Sequence, residues 1–416
     1  MHTISQLSMK PLKKIEKQDI EDILALTPGQ EGMLFHYLKD PHSPHYFVQL
    51  NLGITGEINI DVFKKAWNLV IKTNDMLRTV FRWEKMEKPV QVILKYHKLQ
   101  LEYYDFSTLN AGEKKKQLEV ITGDDREQKF DLRKVPFRVT LCKIDADKYQ
   151  VIISNHHILY DGWSNGIILK EFFGAYNDLV NGKKLAIPGK TKFKEFVKLS
   201  RDQDLNKLEK YWKNYLKGFD TQTGLPLKRR EEKEKTNTKN YQINFTADER
   251  KHLESFVKGY KITLAVLLYT AWGILLQKYN NTDDVIFGIT VSGRSAEVDG
   301  IEDMVGLFIN TLPLRIKTNS NEKTRELLFR IDSQLQMMKE FESASLVNIK
   351  KYSEIDNKEE LFDSIVVMEN YPLDTRLIPG NDKLAFSVDS YSSVEMTHYH
   401  LTVTISIIHG IEVTFG

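Results

Sequence analysis

The chain has 416 residues, with 59 Lys or Arg against 57 Asp or Glu, a formal charge of +2 and a single cysteine, Cys142. A length of this order supports two domains, or one domain built as two lobes that each bury a core. Near-balanced charge argues against a dedicated nucleic-acid or polybasic membrane binder, and one thiol forms neither a disulfide framework nor a thiolate metal cluster, which points to a reducing compartment, by default the cytoplasm.

The start, MHTISQLSMKPLKKIEKQDIEDILAL, carries charge too early and too often for a signal peptide, and no apolar run approaches the roughly 20 residues of a membrane span. Thr27 is placed to cap a helix opening at Pro28, with Met33, Leu34 and Tyr37 at helical spacing. His45 to Ile54 alternates like a strand and ends in a turn at Gly56; Ile60 to Thr73 reads as an amphipathic helix through Phe63, Trp67 and Val70. Strands are expected at Leu77–Trp83, Pro89–Leu94, Arg138–Ile144 and Lys148–Asn155, the last being the strongest of this half. It runs into HHILYDGWS, after which Asn165 to Val180 returns to helical spacing.

From about Asn181 to Asn240 the strand pattern fades and charge rises; a helix around Asn206 to Leu216 precedes TGLPLKRREEKEKTNTKN, whose lack of apolar periodicity marks a solvated linker. The spacing then predicts a strand near Tyr241–Thr246, a helix over Ala247–Lys258, and a helix TLAVLLYTAWGILLQKY, apolar nearly all round and so buried. A strand DDVIFGITV, a long helix Thr324–Glu342, a strand from Ser364 to Pro372, and a hairpin LTVTISIIHGIEVTFG turning at His409 and Gly410 complete the chain. Strands interleaved with helices in both halves imply two related α/β lobes: 1–180, a boundary region 181–240, and 241–416. The stop at Gly416, inside a strand pattern, suggests a fragment of a longer polypeptide.

Reactive groups concentrate in one segment, Asn155 to Ser164. Two adjacent imidazoles, His156 and His157, end an apolar strand, so alternation sends them to opposite faces. A metal site would need further ligands, and neither an HExxH helix nor a Cys/His cluster occurs. Two readings stay open: a structural pair, and a catalytic imidazole, ordinarily near pKa 6.5 and neutral at pH 7. No G-x-S-x-G elbow occurs and Cys142 lies in an ordinary strand, so a catalytic site here would activate a nucleophile that the substrate brings: direct acyl transfer without an acyl-enzyme.

HHILYDGWS closely resembles the HHxxxDG signature of the condensation domains of nonribosomal peptide synthetases, which share the fold of chloramphenicol acetyltransferase. The resemblance runs over nearly the whole chain: LTPGQEGMLFH (Leu26 to His36), LRTVF (Leu77 to Phe81), FGITVSGR, MVGLFINTLPLR and MENYP (Met368 to Pro372) look like the family's other motifs in order. It implies two acetyltransferase-like lobes in a V with a central tunnel. Two peptidyl carrier proteins, donor upstream and acceptor downstream, would present thioesters there on phosphopantetheine arms, next to an adenylation domain, with no cofactor bound covalently to this chain. On this resemblance His157 reaches into the tunnel as a neutral ring that accepts a hydrogen bond from the attacking amine. His156 is structural, Asp161 pairs with Arg294, and Gly162 leaves room beside the reacting groups. Trp163, Ser164, Asn310 and Thr311 are candidates for the tunnel wall. Gly29 and Tyr160 depart from the family pattern, where a larger apolar residue and an apolar residue are usual. Heterocyclisation domains carry aspartates in place of the histidines, which argues against that activity; an epimerisation domain ranks second, and a catalytically silent docking domain third.

Overall fold

The computed structural model describes residues 15–41, 43–184, 189–225, 240–294, 298–355, 360–369, 386–407 and 410–416. In the first half the chain forms β1 (Ile20–Ala25), α1 (Pro28–Lys39), β2 (Phe47–Gly56), α2 (Ile60–Thr73), β3 (Thr79–Arg82), β4 (Val90–Leu94), β5 (Glu102–Asp105), α3 (Ala111–Glu127), β6 (Phe137–Lys143), β7 (Lys148–His156), α4 (Gly162–Val180), α5 (Phe193–Arg201) and α6 (Leu205–Leu216). The second half forms β8 (Tyr241–Asn244), α7 (Ala247–Tyr260), α8 (Leu264–Asn280), β9 (Asp284–Val291), β10 (Asn310–Lys317), α9 (Thr324–Met338), α10 (Leu346–Lys351), β11 (Ser364–Glu369), β12 (Phe386–Glu395), β13 (Leu401–Ser406) and β14 (Glu412–Phe415).

Three sheets result, in strand orders β1-β4-β3, β12-β2-β7-β6-β5 and β10-β9-β11-β13-β14-β8. In the five-stranded sheet only β5 and β6 run parallel; in the six-stranded sheet β11 runs parallel to both β9 and β13. β12 lies late in the sequence yet forms the edge of the sheet built by the first half, pairing with β2 from Phe386↔Gly56 to Glu395↔Val48.

Two apolar cores form. The first gathers Leu50, Trp67 and Phe172 from β2, α2 and α4, with the Trp67 and Phe172 rings stacked at 4.6 Å, and also takes in Ile301, Met304, Val305, Phe308 and Phe386 from the second half. The second is built around Trp212, Leu276, Phe287 and Ile365. The boundary between cores falls between Val197 on α5 and Leu208 on α6. The 301–308 segment and Phe386 of β12 therefore join the first core.

Several elements depart from the sequence reading. α3 buries none of its residues, so it lacks the apolar stripe that periodicity detects. A capping box between Asn110 and Glu113 starts it. Asp125 then accepts from Gln49 at 2.7 Å and from Arg138 at 2.9 Å, pinning the helix over a polar row of the sheet. The expected strand from Leu77 begins only at Thr79, because Asp75–Arg78 form a 3-10 turn, and the long helix is α-helical to Met338 before a 3-10 turn at Lys339–Phe341. α8 is not buried all round: Leu275 and Tyr279 are 41% and 60% exposed. The polar run at 226–239, residues 370–372 of the expected strand end and His409 of the expected turn lie outside the described residues; β13 and β14 pair antiparallel.

Candidate active site

Strand alternation builds the site. Val48 on β2 pairs with Asn155 on β7 and with Glu395 on β12, so these three side chains form one row on the core face of the sheet. Ser393 and Tyr391 follow Glu395 at period two, and His157 follows Asn155. All of these line one cavity of about 50 Å³, together with Tyr160 and, from β11, Glu369. The turn that carries His157 is fixed from outside: its amide donates to the Tyr46 carbonyl at 2.7 Å, and the Gln30 side chain of α1 donates to the Ile158 carbonyl at 3.1 Å. This second bond is one role of the glutamine in the LTPGQ segment, whose side-chain oxygen also accepts from the Thr27 amide at 3.0 Å.

The adjacent histidines meet different surroundings. His156 is 4% exposed; its Nδ1 accepts from the Ile158 amide at 3.1 Å and its ring lies against Tyr37 and Tyr46. Burial, with the neighbouring His157 charge, pushes its pKa down to about 3. His157 is 3% exposed, and its Nε2 stands 3.1 Å from the Glu395 carboxylate, whose side chain is 40% exposed. Burial lowers the His157 pKa, but the charge and hydrogen bond of Glu395, its own backbone carbonyl and Asp161 carry it up to about 9. Glu395 thus lifts the ring above the ordinary imidazole value near 6.5, against the neutral form expected from the sequence. Burial pushes Glu395 up, and His157 pulls it below the usual carboxylate range. Across the cavity, burial and then the charges of Glu395 and Glu412 push Glu369 up to about 7.

Asp161 caps α4 and is fully consumed by structure. It accepts from the Ser164 amide at 3.1 Å, the Ser164 hydroxyl at 2.9 Å, the Phe308 amide at 3.1 Å and Arg294 at 3.2 Å. Arg294 donates in turn to the Ile301 and Met304 carbonyls at 2.6 and 3.1 Å and lies over the Phe308 ring at 4.0 Å. The pair ties the turn of the first half to the 301–308 segment. Gly293 makes this possible: its φ is +61°, and a Cβ there would stand 2.0 Å from the Phe308 carbonyl oxygen.

Gly162 opens α4 and lines the His157 cavity. None of the four residues expected at a tunnel wall lines this cavity. Ser164 belongs to the Asp161–Arg294 network, Trp163 donates to the Glu302 carbonyl at 3.3 Å, and Asn310 donates to the Glu342 and Ala344 carbonyls at 2.8 and 2.7 Å. Thr311 hydrogen-bonds Tyr399. Asn310 and Gly29 instead border a separate cavity of about 260 Å³ between α1 and α5. Sequence reasoning missed Glu395, Glu369 and Tyr391; only β12's pairing with β2 could have pointed to the first and third. Cys142 is buried, and burial pushes its thiol up to about 12. Among the described residues no group of three or more His, Cys, Asp or Glu is placed to hold a metal, and no single helix is long and apolar enough to cross a membrane.

With this geometry in hand, the comparisons with known proteins are decisive: residues 20–415 match the Condensation domain family. The chain belongs to that family. This condensation domain is 36% identical over 396 residues to surfactin synthase subunit 2 of Bacillus subtilis (strain 168), and 36% over 402 residues to gramicidin S synthase 2 of Brevibacillus brevis. The alignments cover 94% and 95% of this chain but 11% and 9% of those proteins, so the chain spans a small part of the nonribosomal peptide synthetases it matches. Among solved structures it is similar to the first condensation domain of the CDA synthetase, with TM-score 0.74, 16% identity, and 95% and 92% of the two chains covered. It is also similar to the starter condensation domain of rhizomide synthetase RzmA, with TM-score 0.76, 18% identity, and 95% and 90% covered. At these identities the likeness is one of fold: the mixed α/β architecture expected from the sequence is the one these condensation domains share.

Proposed function

We propose that this condensation domain forms an amide bond between a donor acyl or peptidyl thioester and the amine of an acceptor aminoacyl thioester. Each substrate hangs from a peptidyl carrier protein on a phosphopantetheine arm, within a cytoplasmic synthetase that also holds an adenylation domain. The observation that carries this reading is His157: a buried ring that faces a cavity from the end of β7, on a turn locked to the second half by Asp161 and Arg294. The two cores are read as acetyltransferase-like lobes meeting in a V, with this cavity at the middle of a tunnel and β12 lent to the first lobe.

The amine nitrogen attacks the thioester carbonyl, the C–N bond forms, and the C–S bond breaks to release the donor's pantetheine thiol. His157 Nε2 accepts a proton from the nitrogen and passes one to the leaving sulfur. A thioester is already activated, so holding both tethered groups in line supplies much of the acceleration, and a placed base adds about 10²–10⁴-fold. Because Glu395 holds the resting ring charged, the ring must lose its proton before it serves as the base.

One observation favours a second reading. Two carboxyl groups, Glu369 and Glu395, share the cavity with His157, and such a set also suits exchange of an α-proton, as an epimerisation domain performs. Incubating the domain with donor and acceptor thioesters on separate carriers in deuterated water separates the outcomes by mass spectrometry. A new amide is the expected result. Deuterium at the α-carbon without an amide establishes epimerisation instead, and carrier binding with neither product leaves a docking domain.

A further inference from the structure

The cavity beside His157 is acidic beyond what the histidine neutralises. Two carboxyl groups, Glu369 and Glu395, line it, the charge of Glu412 also reaches Glu369, and His157 is the basic group recorded against Glu395. Burial first, and then the charges of Glu395 and Glu412, push Glu369 up to about 7. Glu395 is the exposed member of the His157 pair, so a group entering the cavity meets its carboxylate before it meets the buried ring. A second feature also points to an occupant: Tyr160 lines the same cavity, is 1% exposed, and its hydroxyl has no hydrogen-bond partner. A buried hydroxyl left unpaired in the resting site carries a desolvation penalty that a ligand group or water relieves.

We propose that Glu395, backed by Glu369, receives the acceptor's α-ammonium group, and that this ammonium replaces the His157 imidazolium as the counter-ion of the carboxylate. The inference rests on the condensation reading and adds the form in which the acceptor binds: as a cation, at the edge strand β12. Proton accounting closes. As the ammonium pairs with Glu395, the imidazolium loses its support, and burial drives its proton to solvent, leaving Nε2 free. The ammonium then gives one proton to Nε2, and the nitrogen attacks the carbonyl carbon. Its second proton passes to Glu395 as the tetrahedral adduct collapses, while the ring proton goes to the departing sulfur. The pair ends as neutral imidazole and carboxylic acid, one internal transfer from the resting ion pair. One proton per amide is released overall, as a thioester plus an ammonium requires. Glu395 touches the reacting nitrogen in this scheme, and Glu369 positions it by sharing its charge.

The groups facing His157 are Glu395 from β12, Glu369 from β11, Asp161 and Tyr160 from its own turn, Tyr391 from β12 and the adjacent His156. Of these, Glu395 dominates the upward pull on the ring. The test titrates His157 by NMR with labelled histidine, its signal assigned by its loss in His157→Gln. The probe is leucyl-N-acetylcysteamine with the thioester replaced by an amide, with the N-acetylated form as control. In the unmodified domain His157 is expected to titrate near 9; saturation with the free-amine probe lowers this by at least one pH unit, and the N-acetylated probe does not. Glu395→Gln brings the free-protein value below 6.5, weakens the free-amine probe at least tenfold, and in turnover raises KM for the acceptor while leaving KM for the donor unchanged; Glu395→Asp restores part of each effect. Equal binding of both probes, or an unaltered His157 titration in Glu395→Gln, overturns the proposal. If the titrations behave as stated but carriers yield no amide, the condensation reading fails on its own.

Discussion

Two carboxylate–cation pairs flank the HHILYDG turn, and they are built to opposite ends. Asp161 accepts four hydrogen bonds, sits in the interior with Arg294 and joins the two halves of the molecule. Glu395 makes one contact with His157, remains 40% exposed and opens on a cavity. Chemically similar pairs thus separate into a rivet and a reactive pair by how completely their hydrogen-bonding capacity is filled. A filled pair has nothing left to offer a substrate, whereas a half-filled one has.

Substitutions should break this contrast in graded fashion. Arg294→Ala leaves Asp161 charged and buried without its partner, and an urea unfolding curve is expected to show a loss of ~3–5 kcal/mol; a loss under 1 kcal/mol would mean the pair is not the rivet. Gly293→Ala attacks the same rivet through the backbone, combining a left-handed φ with an overlap on the Phe308 carbonyl, and should cost ~2–4 kcal/mol in the same measurement.

Acid sharpens the contrast between the neighbouring histidines. His156 stays neutral in the fold down to about pH 3. Below 6.5 the unfolded chain takes up a proton that the folded chain refuses, so this residue lowers stability by ~1.4 kcal/mol per pH unit toward that value. His157 acts at the other end. Its folded pKa is raised to about 9, so its contribution is complete below 6.5 and lost as pH rises through 9. Unfolding curves for His156→Gln and His157→Gln against pH should flatten on the acid and alkaline sides respectively; the same pH dependence in both variants would contradict the assignment. The smallest effect belongs to Trp163→Phe, which removes one hydrogen bond to the Glu302 carbonyl: ~1 kcal/mol of stability and unchanged turnover.

The turn from Asn155 to Ser164 was legible because its residues are contiguous, and strand alternation alone separates His156 from His157. Most helices and the inner strands were legible too, since Trp67, Phe172 and Leu276 repeat at the period of their elements. The partner of His157 was not. Glu395 ends a strand whose first residue, Phe386, is its only buried side chain, and an edge strand of serines gives no periodic signal. α3 escaped for the same reason, being held by polar contacts of Asp125 and not by an apolar stripe. The upward pull on His157 could not be read locally, because the carboxylate that exerts it arrives from the far end of the chain.

The measurement that bears most directly on the account is amide formation between carrier-bound donor and acceptor thioesters by His157→Ala beside the unmodified domain, with carrier affinity measured in parallel. The account predicts at least a ~100-fold loss of rate with both carriers still bound at their original affinity. Undiminished amide formation by His157→Ala would contradict it.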